Sequence, residues 1–266
     1  MAKLHINENI LIKSGSDAED IFRKQNDTEF LSDDGIIKVT QNRWALAQSC
    51  ETKHWMRNGI DANDDRNFEH CRMFNNYSSL NGLTFEKAIE FGCGPFTNIR
   101  IIADIANIES CILLDPLIDK YLDHGHCRYA SGELITNNNN RVKIGKLLKI
   151  PGEQISENFC CDLVVCVNVL EHCYDAKLLF DNMWDICSDG GYLVFHDKLF
   201  SYEQAKHTVN EIYDAAHPLR VGRGFAMSFL SKFETIYEAS EPVSIGEMVS
   251  DFVYFIGRKR LCQKTL

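Results

Sequence analysis

The chain has 266 residues, 45% of them apolar, and a formal net charge of −10. That length and apolar content suit one large α/β domain, or one such domain with a modest extension. The acidic balance argues against a broad basic face for nucleic acid, and no apolar run approaches the roughly 18 residues that span a bilayer.

Residues 1 to about 35 are polar and acidic, with a turn at Asp33-Asp34-Gly35. The spacing of Trp44, Ala47, Gln48, Glu51, Thr52 and Trp55 predicts a helix over 43–57. An Asn- and Asp-rich stretch, 58–67, predicts a loop, and a second helix follows over 68–80. Strands and helices then alternate. Strands are predicted at 87–90, 111–115, 142–150, 161–167, 192–196, 234–239 and 252–258, and helices at 97–106, 117–124, 174–187, 202–215 and 223–232. This order predicts a mostly parallel seven-stranded sheet with helices on both faces. The chain divides into an N-terminal extension and helical lid, 1–82, and a core, 83–260, with an insertion on the substrate side at about 200–232. No leader segment is visible at the start, so a cytoplasmic protein is expected.

The 11 cysteines are scattered, contain no C-x-x-C pair and fall partly within apolar runs such as Leu163-Val164-Val165-Cys166-Val167, so they are expected reduced and buried. His124, His126 and Cys127 share one loop but lack a second ligand pair at zinc spacing, and no metal is expected.

Chemistry concentrates at the strand ends, where open parallel sheets bind ligands. Ala88-Ile89-Glu90-Phe91-Gly92-Cys93-Gly94-Pro95 is an apolar strand ending in a carboxylate and a tight glycine turn. Gly92 and Gly94 permit a sharp turn and close ligand approach, and Glu90 can accept from an amine or hydroxyl; a plain strand-to-helix turn is the alternative. Thr97 replaces the third glycine of the dinucleotide fingerprint, and no basic residue follows to cradle phosphate. The turn therefore suits an adenosine-containing ligand without a pyrophosphate. Asp115, about 25 residues on, lies where a carboxylate holds a ribose diol, or else caps the following helix. The third tip, Pro151-Gly152-Glu153-Gln154-Ile155, offers an acceptor for an exocyclic amine beside an apolar cover, or is a solvated loop. The fourth leaves a buried strand for Asn168, Glu171 and His172 in quick succession.

Taken in order, Glu90-Phe91-Gly92-Cys93-Gly94, Leu114-Asp115-Pro116-Leu117, Pro151-Gly152-Glu153-Gln154, Asp162 through His172, and Asp189-Gly190-Gly191-Tyr192-Leu193 resemble the class I S-adenosylmethionine-dependent methyltransferases, of the small-molecule kind. The resemblance runs from about residue 85 to about residue 258. It implies a Rossmann-like sheet with an antiparallel terminal strand, and S-adenosylmethionine as cofactor. It places Glu90 at the amino group of the methionine moiety, through the turn or a water, and the backbone at Gly92, Cys93 and Gly94 against the methionine part and the ribose. Asp115 would bind the ribose hydroxyls, Pro116 and Leu117 would lie beside the adenine, and Glu153 and Gln154 would flank it, by side chain or backbone. Asn168 and Val169 would approach the sulfonium, and His172 would support the cofactor loop. Phe96 departs from the pattern, since many members carry a third glycine there, and it narrows the methionine end.

Methyl transfer from a sulfonium is an in-line displacement that chiefly needs positioning, and an oxygen acceptor also needs proton removal. The catalytic candidates are His196 and His217, at predicted element ends. Asp197 joins His196 on the substrate side, while Arg220 and Arg223 can hold an anionic group or remain solvated. Trp44, Trp55 and Tyr77 are expected as apolar cover from the lid. The expected activity is methyl transfer to a small polar molecule, O-methylation of a sugar or secondary metabolite. The partner is a small-molecule acceptor, with no nucleic acid and no membrane, and the oligomeric state is open. A non-catalytic binding or scaffold protein that kept the fold is the alternative.

Overall fold

The computed structural model describes residues 5–6, 30–56, 65–213, 216–245 and 248–261. Most of the polar N-terminal segment, residues 58–64 of the loop predicted over 58–67, the end of the helix predicted at 202–215, and Cys262 lie outside the described residues.

In chain order the elements are β1 (His5–Ile6), β2 (Leu31–Ser32), β3 (Gly35–Ile36), α1 (Gln41–Met56), α2 (Asn67–Met73), β4 (Thr84–Phe91), α3 (Ile99–Ile102), β5 (Asn107–Leu114) and α4 (Ile118–Leu122). There follow β6 (Leu134–Ile135), β7 (Arg141–Leu148), β8 (Cys161–Val167), α5 (Ala176–Ile186), β9 (Cys187–Leu199), α6 (Tyr202–Glu211), β10 (Ile212–Tyr213), β11 (Arg220–Val221), α7 (Arg223–Leu230), β12 (Phe233–Ile245) and β13 (Met248–Lys259). The main sheet has eight strands in the order β12-β13-β9-β8-β4-β5-β7-β6. Strands β7, β5, β4, β8 and β9 are parallel, and β13 pairs antiparallel with both β9 and β12. The seven-stranded expectation gains a two-residue edge strand, β6, antiparallel to β7.

Alternation along the strands builds two cores. Ile89 and Phe91 of β4, Ile112 and Leu114 of β5, Val164 and Cys166 of β8, and Leu193 and Phe195 of β9 face one cluster, completed by α5 and α7 through Phe180, Met183 and Phe229. Ala88, Cys111, Leu113, Leu163, Val165 and Val194 face the other, covered by Phe74, Tyr77, Leu80, Ile99 and Ile118. Because both faces are covered, the central strands read as nearly continuous apolar runs. Thr40 caps α1, its Oγ accepting from Arg43 N–H at 3.2 Å, and Asp175 caps α5, accepting from Leu178 N–H at 3.0 Å.

Several predicted elements differ; the strands expected at 234–239 and 252–258, for example, extend across Phe233–Ile245 and Met248–Lys259. The helix at 97–106 shrinks to the single turn α3: Thr97 before it takes a left-handed φ of 41°, and after Ile102 the chain tightens into turns, with Asp104 N–H donating to Ile101 O and Ile105 N–H to Ile102 O. The helix at 68–80 breaks after Met73, and Asn75, Asn76 and Tyr77 take left-handed φ of 51°, 54° and 52°. Tyr77 is fully buried and stacks on Phe74 at 5.0 Å, so this predicted lid residue belongs to the core. The strand at 192–196 extends across Cys187–Leu199. The ten cysteines among the described residues are all free, and most are buried.

Arg100 ties the N-terminal segment to the sheet. It is 1% exposed and meets Asp65 at 2.5 Å, Asn137 Oδ1 at 2.8 Å and Phe96 O at 3.3 Å. Removing one member of a buried ion pair strands the other charge. Arg100→Ala should therefore cost about 3–5 kcal/mol of stability in denaturant unfolding. Arg100→Met paired with Asp65→Leu should cost clearly less; equal losses in the two would refute the stranded-charge account.

Candidate functional site

The strand order reverses at β4, which pairs with β5 on one side and β8 on the other. Ligands in open parallel sheets bind beyond the strand ends at such a switch point. A cavity of about 450 Å³ lies there, lined by the β4 turn, the tips of β5 and β8, and α1.

Gly92 and Gly94 form its floor with φ of +63° and +52°. A Cβ at Gly92 would come within 2.4 Å of Val169, whereas one at Gly94 would meet nothing within 4 Å. Glu90 points to the opposite face. Its carboxylate accepts from Asn98 N–H at 2.8 Å, Asn98 Nδ2 at 3.0 Å, Ile99 N–H at 3.2 Å and the Thr97 hydroxyl. It thus caps α3 and holds the glycine turn from beneath, with burial pushing its pKa up against those hydrogen bonds. Cys93 is also buried away from the cavity, its Sγ 3.5 Å from the Tyr129 hydroxyl. Neither side chain lines the cavity, so Glu90 can bear on a ligand only through the turn it holds, and Cys93 only through its backbone.

Asp115 lines the cavity, with Pro116, Leu117 and Tyr121 beside it. Its oxygens accept from Gly94 N–H at 3.2 Å and Leu117 N–H at 2.8 Å. Burial raises its pKa to about 7, against the pull of those two N–H groups. The carboxylate therefore both joins the first two strand tips and faces the ligand space. At the third tip Gly152 and Glu153 line the cavity, but the Glu153 carboxylate accepts from Tyr174 N–H at 2.7 Å and Asp175 N–H at 3.2 Å. It braces the loop before α5 through one carboxylate oxygen. Gln154 is exposed and lies outside the lining.

From the opposite side α1 lays Trp44, Gln48, Glu51 and Trp55 on the cavity. These positions fall on one helical stripe. Trp44 Nε1 and Gln48 Nε2 both donate to His172 O, at 3.1 and 3.4 Å, which fastens the helix to the fourth tip. Asn168, Val169 and His172 line the wall there, and Asn168 has a left-handed φ of 59°.

A polar cluster closes the far end. His217 Nε2 lies 3.6 Å from Glu171, Lys198 Nζ lies 2.8 Å from the same carboxylate, and His172 Nδ1 lies 3.4 Å from Glu51. The rings of His172 and His217 are 4.6 Å apart. Burial works against the Glu171 charge, but His217, Lys198 and His172 outweigh it and hold its pKa below the carboxylate range.

The other predicted substrate-side residues lie elsewhere. His196 sits on the second core face of β9, where its ring stacks on Tyr254 at 4.0 Å and approaches His70 at 4.6 Å. Its Nδ1 is 3.0 Å from Val253 O, and burial lowers its pKa to about 3. A histidine so placed cannot reach the cavity or serve as a base near neutrality. Asp197 faces the other way but is fully buried, accepting from Val169 N–H at 3.0 Å and Leu170 N–H at 2.6 Å, with burial and Glu171 raising its pKa. It shapes the fourth tip. Arg220 is buried and donates to His217 O and Pro218 O, both at 3.2 Å, so it positions the His217 loop. Arg223 pairs with Asp251 at 3.0 Å, outside the lining. Sequence reasoning gave Lys198 and Glu51 no role at this end. Glu51 had a signal in the α1 stripe, whereas Lys198 lies within the three residues by which β9 runs past its predicted end.

No protein-family model matches the sequence, and no curated protein does. Solved structures do. The N-methyltransferase NodS from Bradyrhizobium japonicum WM9 superposes with a TM-score of 0.51 at 16% identity, over 76% of this chain and 99% of that one. The same enzyme in complex with S-adenosyl-L-homocysteine gives 0.52 at 14% identity, over 82% and 99%. A SAM-dependent methyltransferase from Leishmania major gives 0.51 at 15% identity, over 81% of each chain. At such identities the likeness is one of architecture: the chain has the fold of the class I S-adenosylmethionine-dependent methyltransferases.

Proposed function

We propose that the protein is an S-adenosylmethionine-dependent methyltransferase acting on a small polar acceptor, with transfer to oxygen. The observation that carries this reading is Asp115, a buried carboxylate lining the cavity at the tip of β5, one strand from the glycine turn. An ionised carboxylate offers about four acceptor sites. Two are taken by Gly94 N–H and Leu117 N–H, and the Tyr121 hydroxyl beside it takes a third, leaving one for a ribose hydroxyl and a second once Tyr121 turns away. Leu117 and Tyr121 with the Gly152–Glu153 backbone suit a flat base, and Gly92 with Val169 suits the methionine end. In this reading residues 1–82 supply the lid through α1, and the insertion at about 200–232 supplies His217.

When bound, the cofactor supplies an electrophilic methyl on a sulfonium. The chain's own residues hold the acceptor in line and exclude water, with Trp44 and Trp55 covering the cavity. An acceptor hydroxyl at the far end meets Glu171, Lys198, His172 and His217. These groups orient it and lower the cost of losing its proton.

Calorimetric titration with S-adenosylhomocysteine and, separately, with NAD tests the reading. Saturable binding of the first, with no heat from the second, is expected. Failure to bind S-adenosylhomocysteine would sink it.

A further inference from the structure

We propose that Glu51, His172 and His217 form a binding site for a first-row divalent transition cation at the acceptor end of the cavity. One donor atom from each lies within 4.8 Å of the others, and all three residues line the cavity. They come from three separate parts of the chain: α1, the turn after β8, and the loop before β11. An ion held at about 2.1 Å needs its donors about 3–4 Å apart, so small side-chain rotations complete the set. Two imidazoles and a carboxylate suit zinc, iron, cobalt or manganese better than calcium or magnesium, which prefer oxygen alone. His124 and His126, whose rings are 5.8 Å apart, bring no third donor into such a group among the described residues.

The surroundings support the assignment. Ligating imidazoles are commonly oriented by a carboxylate behind them. Glu171, held by Lys198 at 2.8 Å, stands 3.6 Å from His217 Nε2. The two histidines are anchored through backbone: His172 O accepts from Trp44 and Gln48, and His217 O accepts from Arg220. The carboxylates of Glu51 and Glu171 both lie beside the two imidazoles, so a divalent cation here meets negative charge as well as neutral donors. Three protein donors leave coordination positions open towards the cavity, as a site that takes a substrate oxygen requires.

The ion's role rests on the methyltransferase reading, whereas its binding does not. With the ion bound, an acceptor hydroxyl that coordinates it becomes more acidic. The hydroxyl loses its proton to solvent. Its oxygen lone pair forms the new bond to the methyl carbon as the carbon–sulfur bond breaks, and that bonding pair returns to sulfur, giving a neutral thioether.

Chelator-treated full-length protein titrated with Co²⁺ alone, followed by visible ligand-field absorption, tests the site. One saturating equivalent per chain is expected, with binding at least tenfold weaker in His172→Ala, His217→Ala and Glu51→Gln. Circular dichroism and unfolding midpoints establish that the variants are folded. Glu51→Gln, on the cavity face of α1, keeps the test open should a histidine variant fail to fold. Absence of saturable uptake up to about 1 mM, or uptake unchanged in the double variant His172→Ala/His217→Ala, would overturn the proposal. Calorimetry of the metal-free protein with S-adenosylhomocysteine reads the cofactor site independently, so the two failures are distinguishable.

Discussion

Gly92→Ala should abolish measurable S-adenosylhomocysteine binding at concentrations that saturate the parent protein, and should lower stability by about 1–3 kcal/mol. Two separate effects combine. The backbone at Gly92 has a φ of +63°, which an L side chain adopts only with strain. The new methyl also meets Val169 at 2.4 and 2.7 Å, closer than non-bonded carbons approach. Val169 in turn carries the fourth strand tip, which Asp197 holds through the Val169 and Leu170 N–H groups. The clash is therefore passed to a wall of the cavity rather than absorbed by a free rotor. Adding Val169→Ala removes the two clashing methyls and leaves the φ strain and a tight 3.1 Å approach to the Cβ of residue 169. The double variant should thus recover part of the stability and part of the binding. A double variant no better than Gly92→Ala would show that Val169 is not the obstacle.

The sheet was legible because β4, β5, β8 and β9 are buried on both faces, and a nearly unbroken apolar run bounded by Gly, Pro or Asn has few other solutions. The short elements were not. The 97–106 stretch carries apolar residues that suit a helix, but only Ile99–Ile102 form one, and the chain then turns so that β5 can start at Asn107 opposite Thr84. The break at Asn75, Asn76 and Tyr77 depends on a tyrosine stacked in a core assembled from distant residues, which local spacing does not reveal.

The site shows the same division. Gly92, Gly94 and Asp115 were readable because a turn at a strand end has one place to go. Glu90 was correctly placed at the tip, but strand parity decides which face it serves. Ile89 and Phe91 face one core, so Glu90 faces the other and meets the start of α3. The same parity takes His196 from the substrate side, since Val194 before it faces the second core and Tyr254 receives its ring. Counting residues to the end of a strand locates a side chain along the sheet; only its parity relative to buried neighbours says which side it occupies. The far end of the cavity was the least legible part. Glu51, Glu171, Lys198 and His217 converge from segments whose approach only the fold determines.

Asp115 gives the second large effect, and it has a pH signature. Burial, with Glu51 and Glu90 adding to it, holds this carboxyl at about 7 in the free protein, against an ordinary value of 3.8. Between those values the folded chain keeps a proton that the unfolded chain has lost. The group's contribution to stability is therefore present in full below about pH 4 and is lost as pH rises through 7. Ligand binding works in the opposite direction. Ribose hydroxyls donate to the ionised carboxylate, so they pull its pKa down and the complex releases a proton when it forms near pH 6. Affinity for S-adenosylhomocysteine should therefore rise between pH 5.5 and 7, by at most about tenfold per pH unit, and level off above. Asp115→Asn should flatten that profile. Asp115→Ala should weaken binding at pH 8 by about 10- to 150-fold, the loss of a hydrogen-bonded charge worth about 1.5–3 kcal/mol. Calorimetry in two buffers of different ionisation enthalpy counts the released protons directly. An affinity independent of pH in the parent protein, or a slope that survives in Asp115→Asn, would remove Asp115 from the ribose and with it the observation on which the cofactor assignment stands.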